Sequence, residues 1–167
     1  MRTAPATDEQ DLHELYAASY VRLVGVVGAI CGNTHEAEEA VQDAFVRLMG
    51  QWPKVARYED PEAWVRKVAL GYVSNRRRKA LNGLKAALKH GAAPSVPAPS
   101  SDGVDLRRAL AALPRAQREV IVLQDLGLDV AAIARQLDIA QGTVKSRLSR
   151  ARAALVPLLR EDVSDRV

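Results

Sequence analysis

The sequence predicts an all-α protein, built as two small helical domains joined by a flexible linker. Three observations carry this. Apolar residues recur at helical spacing along both halves, and no segment shows sustained strand alternation between hairpin turns. Residues 90–104, HGAAPSVPAPSSDGV, are rich in Pro, Ser and Gly and read as a linker. The chain has 167 residues, 48% hydrophobic but only 4% aromatic, which suits one domain or two small ones with aliphatic cores.

The elements follow in order. Residues 8–31 place Leu12, Tyr16, Leu23, Val27 and Ile30 near helical spacing, and Gly32-Asn33 ends the run. Asn33 and Glu36 have the spacing of a capping box and open a second helix. In it Ala37, Val41, Ala44 and Leu48 form an apolar stripe, and Glu36, Glu39, Asp43 and Arg47 a polar one. Gly50 and Pro53 are expected to stop this helix. A loop over Lys54–Asp60 leads to Pro61, well suited to a first helical turn. The third helix, about 61–80, carries Trp64, Val68 and Tyr72 inward and ends in Asn75-Arg76-Arg77-Arg78-Lys79. After the linker, Leu106, Leu110 and Leu113 keep helical spacing up to Pro114. Further helices are expected at about 114–126, 129–137 and 141–156, with a break at Asp138-Ile139-Ala140-Gln141-Gly142.

Composition excludes several classes. A single cysteine, Cys31, forbids an internal disulfide or a thiolate cluster, and is read as a small buried hydrophobe. His13, His35 and His90 are too scattered to suggest a metal site, and no cofactor is expected. No uninterrupted apolar run approaches a membrane span, and the N-terminus lacks an apolar signal core, so a soluble, cytoplasmic protein without membrane insertion is expected.

The net charge of +4 hides a strong pattern. Residues 1–62 hold eleven acids against five bases, whereas 63–101 hold eight Lys/Arg and no acid. Residues 102–138 are near balance, and 139–160 hold five bases and no acid. Solvated helical faces normally mix signs, so two acid-free zones suggest two places where a polyanion is held.

The last two helices have the pattern of a helix-turn-helix. Val130, Ile133, Ala134 and Leu137 line the first, and Ala134 is small where the helices would cross. Val144, Leu148, Ala151 and Leu155 line the buried face of the second. The opposite face carries Lys145, Ser146, Ser149 and Arg150, flanked by Arg147 and Arg152, with Thr143 at its start. Such a helix fits the DNA major groove, where Lys or Arg meets guanine and Ser meets a base edge or phosphate. Arg147, Arg152 and Thr143 are expected mainly to hold phosphates.

The stretch Gly142-Thr143-Val144-Lys145-Ser146-Arg147-Leu148-Ser149-Arg150-Ala151-Arg152 closely resembles the recognition helix of extracytoplasmic-function (ECF, group 4) sigma factors. Leu113-Pro114, Gln117-Arg118-Glu119-Val120, Gly127-Leu128 and Ile133-Ala134 resemble the same family's promoter-binding region 4. Residues 37–48, AEEAVQDAFVRL, resemble its polymerase-docking helix, and Pro61-Glu62-Ala63-Trp64-Val65 before an Arg cluster resembles the promoter-melting part of region 2. The chain departs from the family pattern at Gly71, Asn75, Ala132 and Asp138.

The resemblance implies region 2 at 8–82, a linker at 83–104 and region 4 at 105–160. It implies docking on core RNA polymerase through Glu39, Gln42, Asp43 and Arg47. It places the downstream (−10) promoter element on Arg57, Tyr58, Asp60, Arg66, Lys67, Asn75, Arg76 and Arg77, where a loop would hold an unstacked base and a helix the backbone. The upstream (−35) element falls to Thr143, Lys145, Ser146, Arg147, Ser149, Arg150 and Arg152. The implied partners are core RNA polymerase and promoter DNA, with an anti-sigma factor left open. Trp64, at helical spacing with Val68 and Tyr72, suits core packing, and Tyr58 is the better stacking candidate. Two other readings fit the residues less well. A stand-alone helix-turn-helix regulator leaves the polar stripe of residues 36–47 and the upstream Arg cluster unexplained. A recombinase needs a nucleophile with supporting groups, which Ser19, Ser74 and the tyrosines lack.

Overall fold

The computed structural model describes residues 6–89 and 105–164, so the central linker segment 90–104 lies outside the described residues. Among the described residues seven helices follow one another: α1 (Ala6–Cys31), α2 (Thr34–Val55), α3 (Pro61–Lys89), α4 (Asp105–Ala112), α5 (Arg115–Asp125), α6 (Val130–Leu137) and α7 (Gln141–Ser164). Helices α1–α3 pack together, as do α4–α7, and the two halves lie against each other through α1 with α4 and α5, and α3 with α6. Buried residues of both halves form one continuous apolar cluster.

Local chemistry sets most boundaries. Gly32 has φ +80°, where a side chain is strained, and there α1 turns out of its helix. The Asn33 Oδ1 accepts from the Glu36 N–H at 3.1 Å and caps α2. Leu23, Val27 and Ile30 of α1 bury fully against Ala37, Val41, Ala44 and Leu48 of α2, whose small alanines allow close approach. Residues Glu9–Cys31 reach a mean hydropathy of 1.4, long and apolar enough by composition to cross a membrane. In this fold α1 packs on α2 and α3 and on α4 and α5 of the second half, and its Arg22 pairs with Glu62 of α3. Tyr16, expected inward, is largely exposed and stacks on Tyr20 and edge-on to Phe45, both at 4.9 Å between ring centroids.

Three expectations need correction. Helix α2 continues through Pro53 to Val55, because Trp52 and Val55 are buried beneath its last turn. Burying such side chains contributes about 1.5–3 kcal/mol each, enough to offset the ~3 kcal/mol that a proline costs within a helix. The inward face of α3 is Val65, Ala69, Leu70 and Val73; Trp64, Val68 and Tyr72 sit half-buried on its flank. Helix α3 also runs on to Lys89, well past residue 80, where Leu, Lys and Ala outnumber the poor helix formers Asn82 and Gly83.

In the second half Asp129 caps α6, its Oδ1 accepting from the Ala132 N–H at 2.7 Å. Ile133 and Ala134 of α6 pack on Val144, Leu148 and Ala151 of α7 and on Val120 and Leu123 of α5. Helix α7 starts at Gln141 as expected but passes through Pro157 to Ser164. Helix α6 ends on Asp138 in the left-handed region, φ 55° and ψ 50°. That conformation strains any residue with a Cβ. Asp138→Gly therefore raises stability by about 0.5–1 kcal/mol, measured as a rise in the midpoint of chemical unfolding; an unchanged or lower midpoint contradicts the strain.

Candidate nucleic-acid interface

Helices α6 and α7 present one polar face to solvent. Lys145, Ser149 and Arg150 are exposed on it, and Thr143, Ser146 and Arg147 are half-buried at its edge. The Ser146 hydroxyl donates to the Thr143 carbonyl at 3.0 Å, which orients it along the helix. Arg152 is exposed and its Nη2 donates to Gln124 Oε1 of α5 at 2.6 Å. A neutral amide does not cancel its charge, so Arg152 is positioned but still cationic.

The loop before α3 is shorter than expected, running over 56–60, and the downstream set divides there. Arg57 and Tyr58 are exposed at its tip. Asp60 is a cap: its Oδ1 accepts from the Ala63 N–H at 2.9 Å and starts α3. Tyr58, Asp60, Trp64 and Lys67 line a cavity of about 340 Å³, closed on its other side by Ala132 and Arg135 of α6.

Arg66 is not on the surface at all, with only 4% of the residue exposed. Its Nη2 donates to Gln136 Oε1 of α6 at 3.4 Å, and Glu62 lies 3.7 Å away. Burial pushes its pKa down, opposed by Asp60 and Glu62, and its Nε has no partner among the described residues. Lys67 donates to the Arg135 carbonyl at 3.3 Å, also across to α6. In this arrangement Arg66 reaches DNA only if the two halves part. Further along α3, Asn75 accepts from Arg78 at 2.9 Å, and Arg77 is exposed. Arg76 turns to α2 instead, donating to Glu39 at 2.6 Å and to Asp43 at 3.2 Å.

Arg76 thus joins two sets that the sequence kept apart. Glu39, Gln42, Asp43 and Arg47 all lie exposed on α2, and Gln42 donates to the Tyr20 hydroxyl at 3.2 Å. Beside them is a feature sequence reasoning missed. Val46 and Met49 are 68% and 66% exposed, next to Tyr16 at 41%. With Leu12 and Phe45 they line a shallow apolar groove of about 480 Å³. Two apolar residues one turn apart on the outer face of α2, whose inner face is already complete, were the available signal.

The contact between halves was also missed. Arg118 of α5 reaches the end of α1, donating to the Ile30 carbonyl at 3.0 Å, and also to the Leu113 and Ala111 carbonyls at 3.0 and 3.3 Å. Burial lowers its pKa, and its Nε is likewise unpartnered among the described residues. Gln136, almost fully buried, donates to the Ala63 carbonyl at 3.3 Å. Cys31 lies nearby, its thiol donating to the Asn33 carbonyl at 3.1 Å and pushed up in pKa by burial. The junction thus carries polar contacts beside the shared apolar cluster, and two of its guanidinium groups are incompletely satisfied.

Residues 15–81 match the family described as Sigma-70 region 2, and residues 103–155 match Sigma-70, region 4. The chain is 31% identical to the ECF RNA polymerase sigma factor SigM of Mycobacterium tuberculosis, covering 92% of this chain and 80% of SigM. The chain belongs to the ECF sigma factors. It is also 31% identical to the ECF RNA polymerase sigma factor SigE of Mycolicibacterium smegmatis, over 81% of this chain and 56% of that protein. The sigma factor RpoE of Bartonella quintana, in a complex with the anti-sigma factor NepR, shares the fold with a TM-score of 0.73 and 24% identity, over 90% of this chain and 98% of RpoE. CnrH, in a complex with the cytosolic domain of CnrY, matches with a TM-score of 0.62 and 25% identity, over 92% of this chain and 90% of CnrH. As an ECF sigma factor the protein is not an enzyme; it binds core RNA polymerase and recognises promoter DNA to initiate transcription.

Proposed function

We propose that the two polar faces divide the promoter between them. Region 4 holds the upstream element, with Lys145, Ser146, Ser149 and Arg150 facing bases and Thr143, Arg147 and Arg152 facing phosphates. Region 2 holds the downstream element, with Tyr58 stacking on an unpaired base and Arg57, Lys67, Asn75 and Arg77 gripping the backbone; Arg66 and Arg76 join once released from their present partners. Core polymerase docks on α2 through Glu39, Gln42, Asp43 and Arg47. The observation that carries this reading is the α6–α7 unit, which buries one complete face and leaves Lys145, Ser149 and Arg150 projecting together into solvent.

An anti-sigma factor is a further partner on this reading, supported by the complex of RpoE with the anti-sigma factor NepR. The work is done in the cytoplasm, with core polymerase. Run-off transcription with purified core polymerase on a genomic fragment library tests the whole reading. Specific transcripts sharing two spaced motifs support it; uniform transcription from all fragments removes it.

Two variants separate the roles. Arg150→Ala weakens promoter binding by about 1–3 kcal/mol and relaxes preference at one base pair. Arg152→Ala weakens all sequences alike and flattens the salt dependence by about one phosphate. Equal, sequence-independent losses in both variants erase the distinction. Tyr58→Ala loses about 1–3 kcal/mol of single-strand capture. It should fail on duplex templates and partly recover on a template with a pre-melted bubble; full activity on the duplex sinks the stacking role.

A further inference from the structure

Where the C-terminal half of α3 faces α5 and α7, a cleft of about 500 Å³ opens between the two halves. Arg77, Arg78 and Lys85 line it from α3, and Arg115 and Arg147 from the other side. Its lining contains a single carboxylate, Glu119, which already accepts from Arg115 Nε at 2.9 Å. Arg115 also donates to Ser74 of α3 at 2.9 Å, so it is fixed across the cleft and half-buried. Arg77, Lys85 and Arg147 have no acidic partner within 4.0 Å among the described residues.

Gathering these cations around one cleft opposes closure of the halves, since like charges repel more strongly at a partly dry junction than in bulk water. The field is felt nearby: Arg77 and Arg115 both help to lower the pKa of Arg118. A bound polyanion removes this opposition. The volume falls within the range of small-molecule sites. The three cations of α3 spread over eight residues, about 12 Å along the helix. That spread suits a chain of phosphates better than one phosphate, and guanidinium groups bind phosphate oxygens in pairs.

We propose that this cleft binds a linear oligophosphate, either inorganic or the phosphate tail of a nucleotide, and that the occupied protein is held closed. Binding itself rests only on the cleft. Its consequence rests on the promoter contacts proposed above, because the ligand occupies Arg77 and Arg147 and keeps Arg66 covered. An oligophosphate thus competes with promoter engagement.

The test is calorimetric titration of the full chain with inorganic tripolyphosphate at physiological salt, beside the Arg78→Gln/Lys85→Gln double variant. Both positions are exposed and lie outside the proposed promoter and docking sets. The parent should bind one equivalent saturably, and the double variant about tenfold or more weakly, with circular dichroism unchanged. Orthophosphate should bind about tenfold or more weakly than tripolyphosphate. Adenosine triphosphate binding as tightly as tripolyphosphate assigns the site to a nucleotide tail; weaker binding assigns it to inorganic chains. At fixed free magnesium, tripolyphosphate should inhibit run-off transcription by the parent holoenzyme and inhibit the double variant about tenfold less. Non-saturable binding, or equal binding by parent and double variant, overturns the site. Saturable binding without inhibition overturns the competition and leaves the site. Absence of transcription without tripolyphosphate counts against the promoter reading instead, because calorimetry reads the cleft independently.

Discussion

Val46→Asp combined with Met49→Asp should abolish stable association with core RNA polymerase while leaving the fold intact. Both side chains project from α2 with about two thirds of their surface exposed, so neither supports the core. Placing Asp at two exposed helical sites costs roughly 0.5 kcal/mol each in helix propensity, a small fall in melting temperature. At an interface the same change is severe. Apolar anchors next to a polar rim are where binding energy concentrates, and losing a central pair costs about 2 kcal/mol or more per residue, a combined weakening of about 10³-fold or more. Fluorescence anisotropy of labelled protein against core polymerase measures it, with circular dichroism as the control for folding. If the double variant binds as tightly as the parent, the apolar groove is not the docking surface, and the acidic stripe must act alone.

Covalently closing the junction between halves should silence the protein. Lys67 and Arg135 are exposed and meet across that junction, where the lysine donates to the Arg135 carbonyl at 3.3 Å. Lys67→Cys with Arg135→Cys, in a Cys31→Ser background, offers one reactive pair to a short bis-maleimide. Joined there, α6 cannot leave α3, and Arg66 stays beneath Gln136. A separated DNA strand then cannot reach Arg66. Open-complex formation should drop by roughly 100-fold or more relative to the same variant left uncrosslinked. The comparison within one variant removes the effect of losing the Lys67 charge. Equal activity of the two forms shows that promoter opening does not require the halves to part.

What the sequence told and what it withheld have a common cause. Asn33, a helix cap, and Ala37, Val41, Ala44 and Leu48, one buried stripe, are decided within a turn or two of chain, and all are legible. The recognition helix is legible for the same reason, as its buried and polar faces interleave within a dozen residues. Arg66 defeated the reading because its environment comes from Gln136, seventy positions later. A charged residue in a basic run looks solvated until a distant helix covers it. The face of α3 was misjudged by one residue, since Trp64/Val68/Tyr72 and Val65/Ala69/Val73 share the same period; bulk favoured the first and packing chose the second. Val46 and Met49 escaped notice because an outward apolar residue has meaning only once the inward face is known to be full.

Arg76 has one guanidinium and two kinds of claimant. In the free protein it is satisfied by Glu39 and Asp43, the carboxylates assigned to polymerase. It cannot hold both of them and a DNA phosphate at once. Whatever draws those carboxylates away makes Arg76 a better ligand for the nucleic acid, and by reciprocity a phosphate on Arg76 leaves the carboxylates freer for a protein partner. The pair is surface-exposed, so the exchange is shallow and readily reversed. On the proposed contacts, three side chains on two neighbouring helices thus form a small reversible coupling, in which meeting the polymerase and meeting the promoter each make the other easier.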